Sequence, residues 1–371
     1  MQLSFQKLFF ALAFIIGLFA VMVVAKVILI PLSLALLIAF ILYPIVKKLE
    51  GWGLNKLFAA FLSLLMVFVI LAGIITLFSA EIMNLADELD NFTGKIMNTF
   101  SDAIVYINGN VHFIEDLNKD ELVENGKKWL EESSGSLLQN TFSNTATFLT
   151  GLLTTIIFGF LFLIYSRGLT NAFVAFGDKE NKAKIFKMLK NIQSVGKKYL
   201  TGMFLLILIL GFANSIGLWI IGIDSPFLFG FLAATLSIVP YVGTTVGATI
   251  PALYAFMSFD SLWMPAAVII LFWGIQVIES NFLSPKIVGG NLNVNALVAI
   301  LSLLVGASVW GVAGMILFLP FAAMLKVVCE EFDQLKPVAL LIGNDISDDS
   351  TVPKAWKWVE KVKGWFKKKK G

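Results

Sequence analysis

The chain has almost none of the residues from which catalytic and metal centres are usually assembled: its 371 residues contain one histidine and one cysteine. His112 and Cys329 alone cannot supply an H-E-x-x-H pair, a Cys/His nucleophile or a Cys-based metal site, and a single thiol closes no internal disulfide. His112 has no metal-binding company and reads as a solvated or lightly buried side chain, while Cys329 reads as an inert thiol. No G-x-x-x-x-G-K-S/T stretch is present, so direct coupling to nucleotide hydrolysis would need another subunit. A serine hydrolase would lack its histidine, which leaves Ser/Lys chemistry as the arrangement that composition alone does not exclude. The expectation is a protein that is not an enzyme and uses neither cofactor nor metal.

Charge is scarce as well. Charged residues make up 14% of the chain, against about 25% in an average soluble protein. Between Tyr199 and Leu325 the charged residues are Asp224, Asp260, Glu279 and Lys286 alone. With 58% hydrophobic residues and a mean hydropathy of +0.85, so much apolar surface has no soluble hiding place, and lipid is the solvent for most of the chain. The net charge of +3 hides opposite local imbalances, and those imbalances carry the topological information.

Apolar stretches run over about 8–25, 27–46, 57–80, 146–166, 199–222, 226–257, 261–283 and 287–325. A spanning helix needs about 20 such residues, so the expected fold class is an all-α polytopic membrane protein with about eight transmembrane helices. The first stretch imitates a signal peptide, with Val23 and Ala25 as a cleavage site, but its n-region holds only Lys7 and apolar sequence resumes at once; an uncleaved first span is expected. Stretches 226–257 and 287–325 would be roughly 48 and 58 Å long as straight helices, against a hydrocarbon core of about 30 Å. Each must tilt, kink or double back, which puts broken or re-entrant segments in the C-terminal half.

Lysines give the orientation, because short basic loops stay cytoplasmic. Lys47, Lys48 and Lys56 flank the second and third spans, and residues 167–198 carry eight bases against Asp178 and Glu180. Residues 81–145 instead carry twelve acids and four lysines, which suits the opposite face. The expected division is transmembrane helices 1–3 over 1–80, an acidic helical extracytoplasmic segment over 81–145, a transport core over 146–343 interrupted by the basic cytoplasmic segment 167–198, and a basic amphipathic tail over 344–371. In that tail Trp358, Val362, Trp365 and Phe366 share one helical face and Lys354, Lys357 and Lys361 another, the pattern of an interfacial anchor with both termini cytoplasmic. A disordered basic tail is the competing reading.

Polar groups set in apolar context are costly in lipid and usually face a cavity or another helix. Four places qualify. In Pro240-Tyr-Val-Gly243-Thr-Thr-Val-Gly247-Ala-Thr-Ile-Pro251, two prolines and two glycines interrupt one apolar stretch. That pattern fits a discontinuous helix at a transport site, and equally a kink with Gly243 and Gly247 as a packing face. The second place is Gln276, Glu279, Ser280, Asn281, Ser284, Pro285 and Lys286. Gln276, Glu279 and Lys286 share a helical face, with Pro285 expected to end the helix. Glu279 would carry proton coupling if buried, or would be solvated at the outer interface if the 18 residues 261–278 already span the bilayer. The third is Gly289-Gly290-Asn291-Leu-Asn293-Val-Asn295, amides that suit a hydroxyl-rich ligand or an ordinary connection. The fourth is Asn214, where an interhelical hydrogen bond competes with solute contact.

Taken in order, several segments resemble the autoinducer-2 exporter family, also called the PerM-like permeases. Pro31-Leu-Ser-Leu-Ala-Leu-Leu-Ile-Ala-Phe-Ile-Leu-Tyr-Pro44-Ile-Val resembles the family's proline-bounded second span, and Ile238-Val-Pro240-Tyr-Val-Gly243 its proline-tyrosine-glycine break. Gln276 to Glu279, Pro285-Lys-Ile-Val-Gly289, and Gly311-Val-Ala-Gly314 through Pro320 resemble its C-terminal signature. The resemblance spans nearly the whole chain, is weakest over 81–145 and is absent from the lysine-rich tail. It departs at Gly202-Met203, where the family favours glutamine after the glycine.

The resemblance implies an eight-span permease of the bacterial inner membrane, homo-oligomeric, exporting a small signalling molecule in some members and exchanging sodium and protons in others. Pro240 to Gly247 and the Gln276/Glu279 region carry over as site candidates. The functional expectation is export of a small polar solute, such as autoinducer-2, by alternating access. A sodium/proton antiporter and a non-transporting membrane scaffold are the alternatives, discriminated by ion flux and by a co-purifying partner without flux. Lipid, solute and coupling cations are the expected partners, and nucleic acid is not.

Overall fold

The computed structural model describes residues 5–70, 72–73, 76, 119–178, 181–239, 242–259, 261 and 263–344. Pro240, most of the acidic segment and the basic tail therefore lie outside the described residues. Among those described, the chain is helical throughout, and its one extended pairing is an isolated antiparallel bridge between Val294 and Gly343. Helices α1 (Phe5–Val24), α2 (Lys26–Gly51), α3 (Lys56–Ile70) and α4 (Lys119–Ala175) make the N-terminal half. Helices α5 (Lys182–Ile221), α6 (Pro226–Leu236), α7 (Val242–Ser258), α8 (Trp263–Ile278), α9 (Gly290–Leu292), α10 (Ala296–Trp310), α11 (Val312–Glu331) and α12 (Lys336–Ile342) follow. Among the described residues five segments are long and apolar enough to cross a membrane: Lys26–Gly51, Thr147–Ala175, Lys182–Ile221, Trp263–Gly289 and Val312–Glu331. Large apolar side chains point outward along them, among them Ile28, Ile157, Phe204, Trp273 and Leu325. That is the inverse of a soluble surface and the arrangement that lipid favours.

The first two apolar stretches meet end to end. Ala25 sits at φ −89° and ψ 13°, with its N–H donating to Val21 O and its carbonyl accepting from Leu29 N–H. The path therefore bends at Ala25 without reversing, and α1 packs along neither flank of α2. The indole Nε1 of Trp310 donates to the Met22 carbonyl at this bend, over 2.9 Å. The described part of the acidic segment, 119–145, is helical and continuous with the fourth apolar stretch, within the 57 residues of α4.

Both over-long stretches double back. The first becomes the pair α6–α7 and the second the pair α10–α11, each packed along its length. At 1.5 Å per residue the 11 residues of α6 reach about 16 Å, too short to cross. Small residues allow the close approach. An added Cβ on Gly314 would lie 1.9 Å from the Gly306 carbonyl oxygen, so any side chain there would separate α10 from α11. Between them Gly311 turns the chain at φ 61° and ψ −137°, a conformation that L side chains avoid.

Kinked helices leave carbonyls without their usual donor. Pro320, inside α11, has no N–H to offer Ile316 O four residues back. The Tyr199 hydroxyl takes that place, donating to Ile316 O at 2.9 Å, and so ties α5 to α11. Pro285 does not end its helix as expected. The path continues through two wide π turns, Glu279–Leu283 and Pro285–Gly289, whose looser register accommodates a residue without an N–H. The extra residues also rotate the face: Glu279 turns inward while Lys286 is exposed, so the shared face of Gln276, Glu279 and Lys286 does not persist.

Candidate functional site

Helix α8 runs antiparallel to α5. Gly217 of α5 lies against Leu271, and Gly202 against the carbonyl of Ile287. Glu279 falls between Leu271 and Ile287, level with the middle of the apolar part of α5. The doubling back of α6–α7 produces this placement, because it returns the chain to the side from which α6 set out. Glu279 is consequently not at an outer interface. It is 8% exposed, inside the helix group rather than in bulk solvent.

Around Glu279 the tip of the α6–α7 hairpin, α5 and α8 enclose a cavity of about 230 Å³, lined by Asn214, Ser237, Gly243, Thr244, Thr245, Gln276 and Glu279 with Leu210, Phe272 and Trp273 as its apolar walls. The Ser284 hydroxyl donates to Glu279 Oε1 at 3.4 Å, and Gln276, one turn earlier, is within hydrogen-bonding reach of the same carboxyl. Asn214 is 4% exposed. Its Nδ2 donates to Gly230 O on α6 at 3.4 Å, while its Oδ1 has no protein partner. A buried amide oxygen costs about 1–3 kcal/mol when unsatisfied, and this one is shut off from solvent in this conformation. Asn214 thus makes the interhelical bond and also faces the cavity.

The hairpin explains its own glycines. Gly247 packs on Ala233, whose Cα lies 2.9 Å from where a Cβ would sit, and Gly243 packs on the Leu236 carbonyl at 1.7 Å from such a Cβ. The packing reading of the two glycines holds, and Gly243 in addition lines the cavity. Of the other sequence candidates, Pro251 is fully buried inside α7 away from the cavity. Pro285 and Lys286 are exposed. Asn281 is exposed too, and its Nδ2 donates to Val277 O at 2.8 Å. Asn291 belongs to the short α9. Met203 packs with Tyr199, Leu206 and Val288 rather than at the cavity. Sequence reasoning missed Ser237, Thr244, Thr245 and Trp273 as lining residues; the two threonines stand inside the proline-glycine segment already singled out, and their hydroxyls were the available signal.

Among the described residues no group of histidine, cysteine and acidic side chains could hold a metal ion, and Glu279 is the lining residue that ionises. A bundle of apolar helices with two internal hairpins, one of them bordering a small, mostly apolar cavity into which a few polar groups are set, defines a membrane-integral protein of the transporter class. Residues 9–334 match the AI-2E family transporter profile, and the chain belongs to that family. It is 27% identical to YrrI of Bacillus subtilis, provisionally named a transport protein, over 84% of this chain and 89% of that one. YueF of the same organism, named in the same way, is 26% identical over 80% and 82%. TqsA of Escherichia coli, named an AI-2 transport protein, is 24% identical over 86% and 90%.

Proposed function

We propose that this chain is a permease that exports a small polar solute through the cavity between α5, the α6–α7 hairpin and α8, by alternating access. The observation that carries the reading is the convergence of Asn214, Gln276, Glu279 and the Thr244–Thr245 pair on one cavity within an otherwise apolar helix group. At about 230 Å³ it is smaller than the roughly 300–1,000 Å³ that holds drug-sized ligands, which favours a compact solute. Amide and hydroxyl groups match a hydroxyl-rich molecule, and the Escherichia coli relative is named an AI-2 transport protein.

In the proposed cycle, the Asn214 side chain turns its amide toward the solute, which exchanges hydrogen bonds with the threonine hydroxyls and the Gln276 amide. The short hairpin then shifts against α5 and α8 to open the cavity to the other side. Glu279 is the group through which a proton or sodium ion would couple to that shift. Sodium/proton antiport is the second reading, favoured by the same buried carboxyl. The lysine distribution supports a cytoplasmic C-terminus in the bacterial cytoplasmic membrane, and the family resemblance supports a homo-oligomer, whereas the end-to-end path of α1 and α2 does not return the N-terminus to the side of Lys47 and Lys48.

Purified protein in liposomes, screened with hydroxylated solutes and with imposed sodium and proton gradients, tests both readings. Solute efflux above empty vesicles supports the permease, and proton movement driven by sodium alone supports the antiporter. Vesicles indistinguishable from protein-free controls under every gradient would sink both.

A further inference from the structure

Lys326 is a cation buried in α11, 6% exposed, and it takes no part in the cavity. A charged side chain inside a membrane-spanning helix is expensive unless its partners are fixed. Its ammonium donates to Asn293 O at 3.0 Å and lies 3.4 Å from Glu330 Oε1 on its own helix. Asn293 adopts φ 50°, which turns its carbonyl out of the helical path toward the lysine. Two residues on, Asn295 joins three elements. Its Oδ1 caps α10 by accepting from Val298 N–H at 2.9 Å. Its Nδ2 donates to Leu341 O at 2.6 Å and Gly343 O at 3.0 Å, and its backbone N–H donates to Ile342 O at 2.9 Å. Val294 pairs with Gly343.

We propose that residues 293–295 and 341–343, locked by Lys326, form a releasable clasp at the base of the α10–α11 hairpin, which opens when the segment carrying Glu279 moves. This rests on the transport reading above. The two π turns and α9 link Glu279 to Asn293 without a loop, so displacement of that segment pulls directly on one jaw. The other jaw is held mainly by polar bonds. Only Ala339 and Ile342 of α12 are buried, while Leu340 and Leu341 are 61% and 72% exposed, and an element with few buried apolar contacts is one that opens locally. Release leaves no charge stranded, because Glu330 already stands beside the ammonium when Asn293 departs.

The test joins the jaws covalently. Val294→Cys and Gly343→Cys are introduced together in a Cys329→Ala background; the lysine tip, whose Cε lies 3.0 Å from the new Cβ position, moves aside. Oxidation in liposomes should form the disulfide and cut solute flux at least tenfold, with recovery on reduction, while each single cysteine variant under oxidant keeps its flux. In parallel, Lys326→Met should speed hydrogen exchange of the Asn295 amide at least tenfold, and Lys326→Arg should not. Full cross-linking with unchanged flux, failure of the pair to cross-link, or unaltered exchange in Lys326→Met would each overturn the clasp. Absence of flux in the unmodified protein would instead count against the permease reading, with exchange still judging the clasp.

Discussion

A carboxylate, an amide and a phenol show how much individual residues decide in this molecule. Glu279 is the ionisable side chain in a cavity otherwise walled, among the described residues, by neutral groups, so Glu279→Gln should abolish any cation-coupled component of flux while leaving the fold intact. Flux under imposed sodium and proton gradients reads this directly, and unchanged coupling would remove Glu279 from the mechanism. Asn214→Leu removes the unpartnered acceptor and should raise the solute concentration for half-maximal flux by about tenfold, the equivalent of one hydrogen bond of about 1.4 kcal/mol. Tyr199 acts at a distance from the cavity. With Tyr199→Phe the Ile316 carbonyl, already deprived of a donor by Pro320, loses its replacement. A destabilisation of about 1–3 kcal/mol is expected, measured as a lower midpoint of denaturation in detergent; an unchanged midpoint would mean that water satisfies the carbonyl.

Elements in this chain are set by small residues and prolines more than by helix propensity. Residues 226–257 and 287–325 were legible from the sequence as too long to be single spans, because apolar length against bilayer thickness is simple arithmetic. Which of tilting, kinking and reversal each would adopt was not legible. The choice depends on whether two helix faces fit each other, and that fit lies in Gly243 against Leu236 and in Gly314 against Gly306. Gly314→Val should therefore open the α10–α11 hairpin at a cost of about 3 kcal/mol or more, seen as loss of protease resistance across residues 296–331. Wild-type resistance in that variant would show that the pair is not packed through its glycines. The helix after α8 was misjudged for a related reason. Proline predicts a stop when the register is α-helical, whereas the π turns around Ser284 let the helix pass and rotate Glu279 inward.

At the scale of the whole molecule the α6–α7 hairpin fixes the direction of α8, and the α10–α11 hairpin fixes the side on which α12 lies. Each hairpin returns to the side it left, so under the proposed orientation, in which the basic start of α5 is cytoplasmic, Lys286 and α12 lie at that same face. A cysteine replacing Lys286 should then react with membrane-impermeant thiol reagent only in inside-out vesicles, and reaction in right-side-out vesicles would reverse the assignment. The end-to-end joining of α1 and α2 at Ala25 was not readable, because two apolar runs separated by a lysine look the same whether the chain bends or folds back. By itself the sequence determined that the protein lives in lipid, that it is helical, that its C-terminal half is interrupted and that Asn214, Gln276 and Glu279 are polar groups in need of company. These follow from local composition and from the cost of polar groups in hydrocarbon. Tertiary structure alone decided that those three meet at one cavity while Pro251, Asn281 and Lys286 do not. Convergence depends on how helices reverse, rotate and pack on one another, and that is a property of facing surfaces rather than of any one stretch of chain.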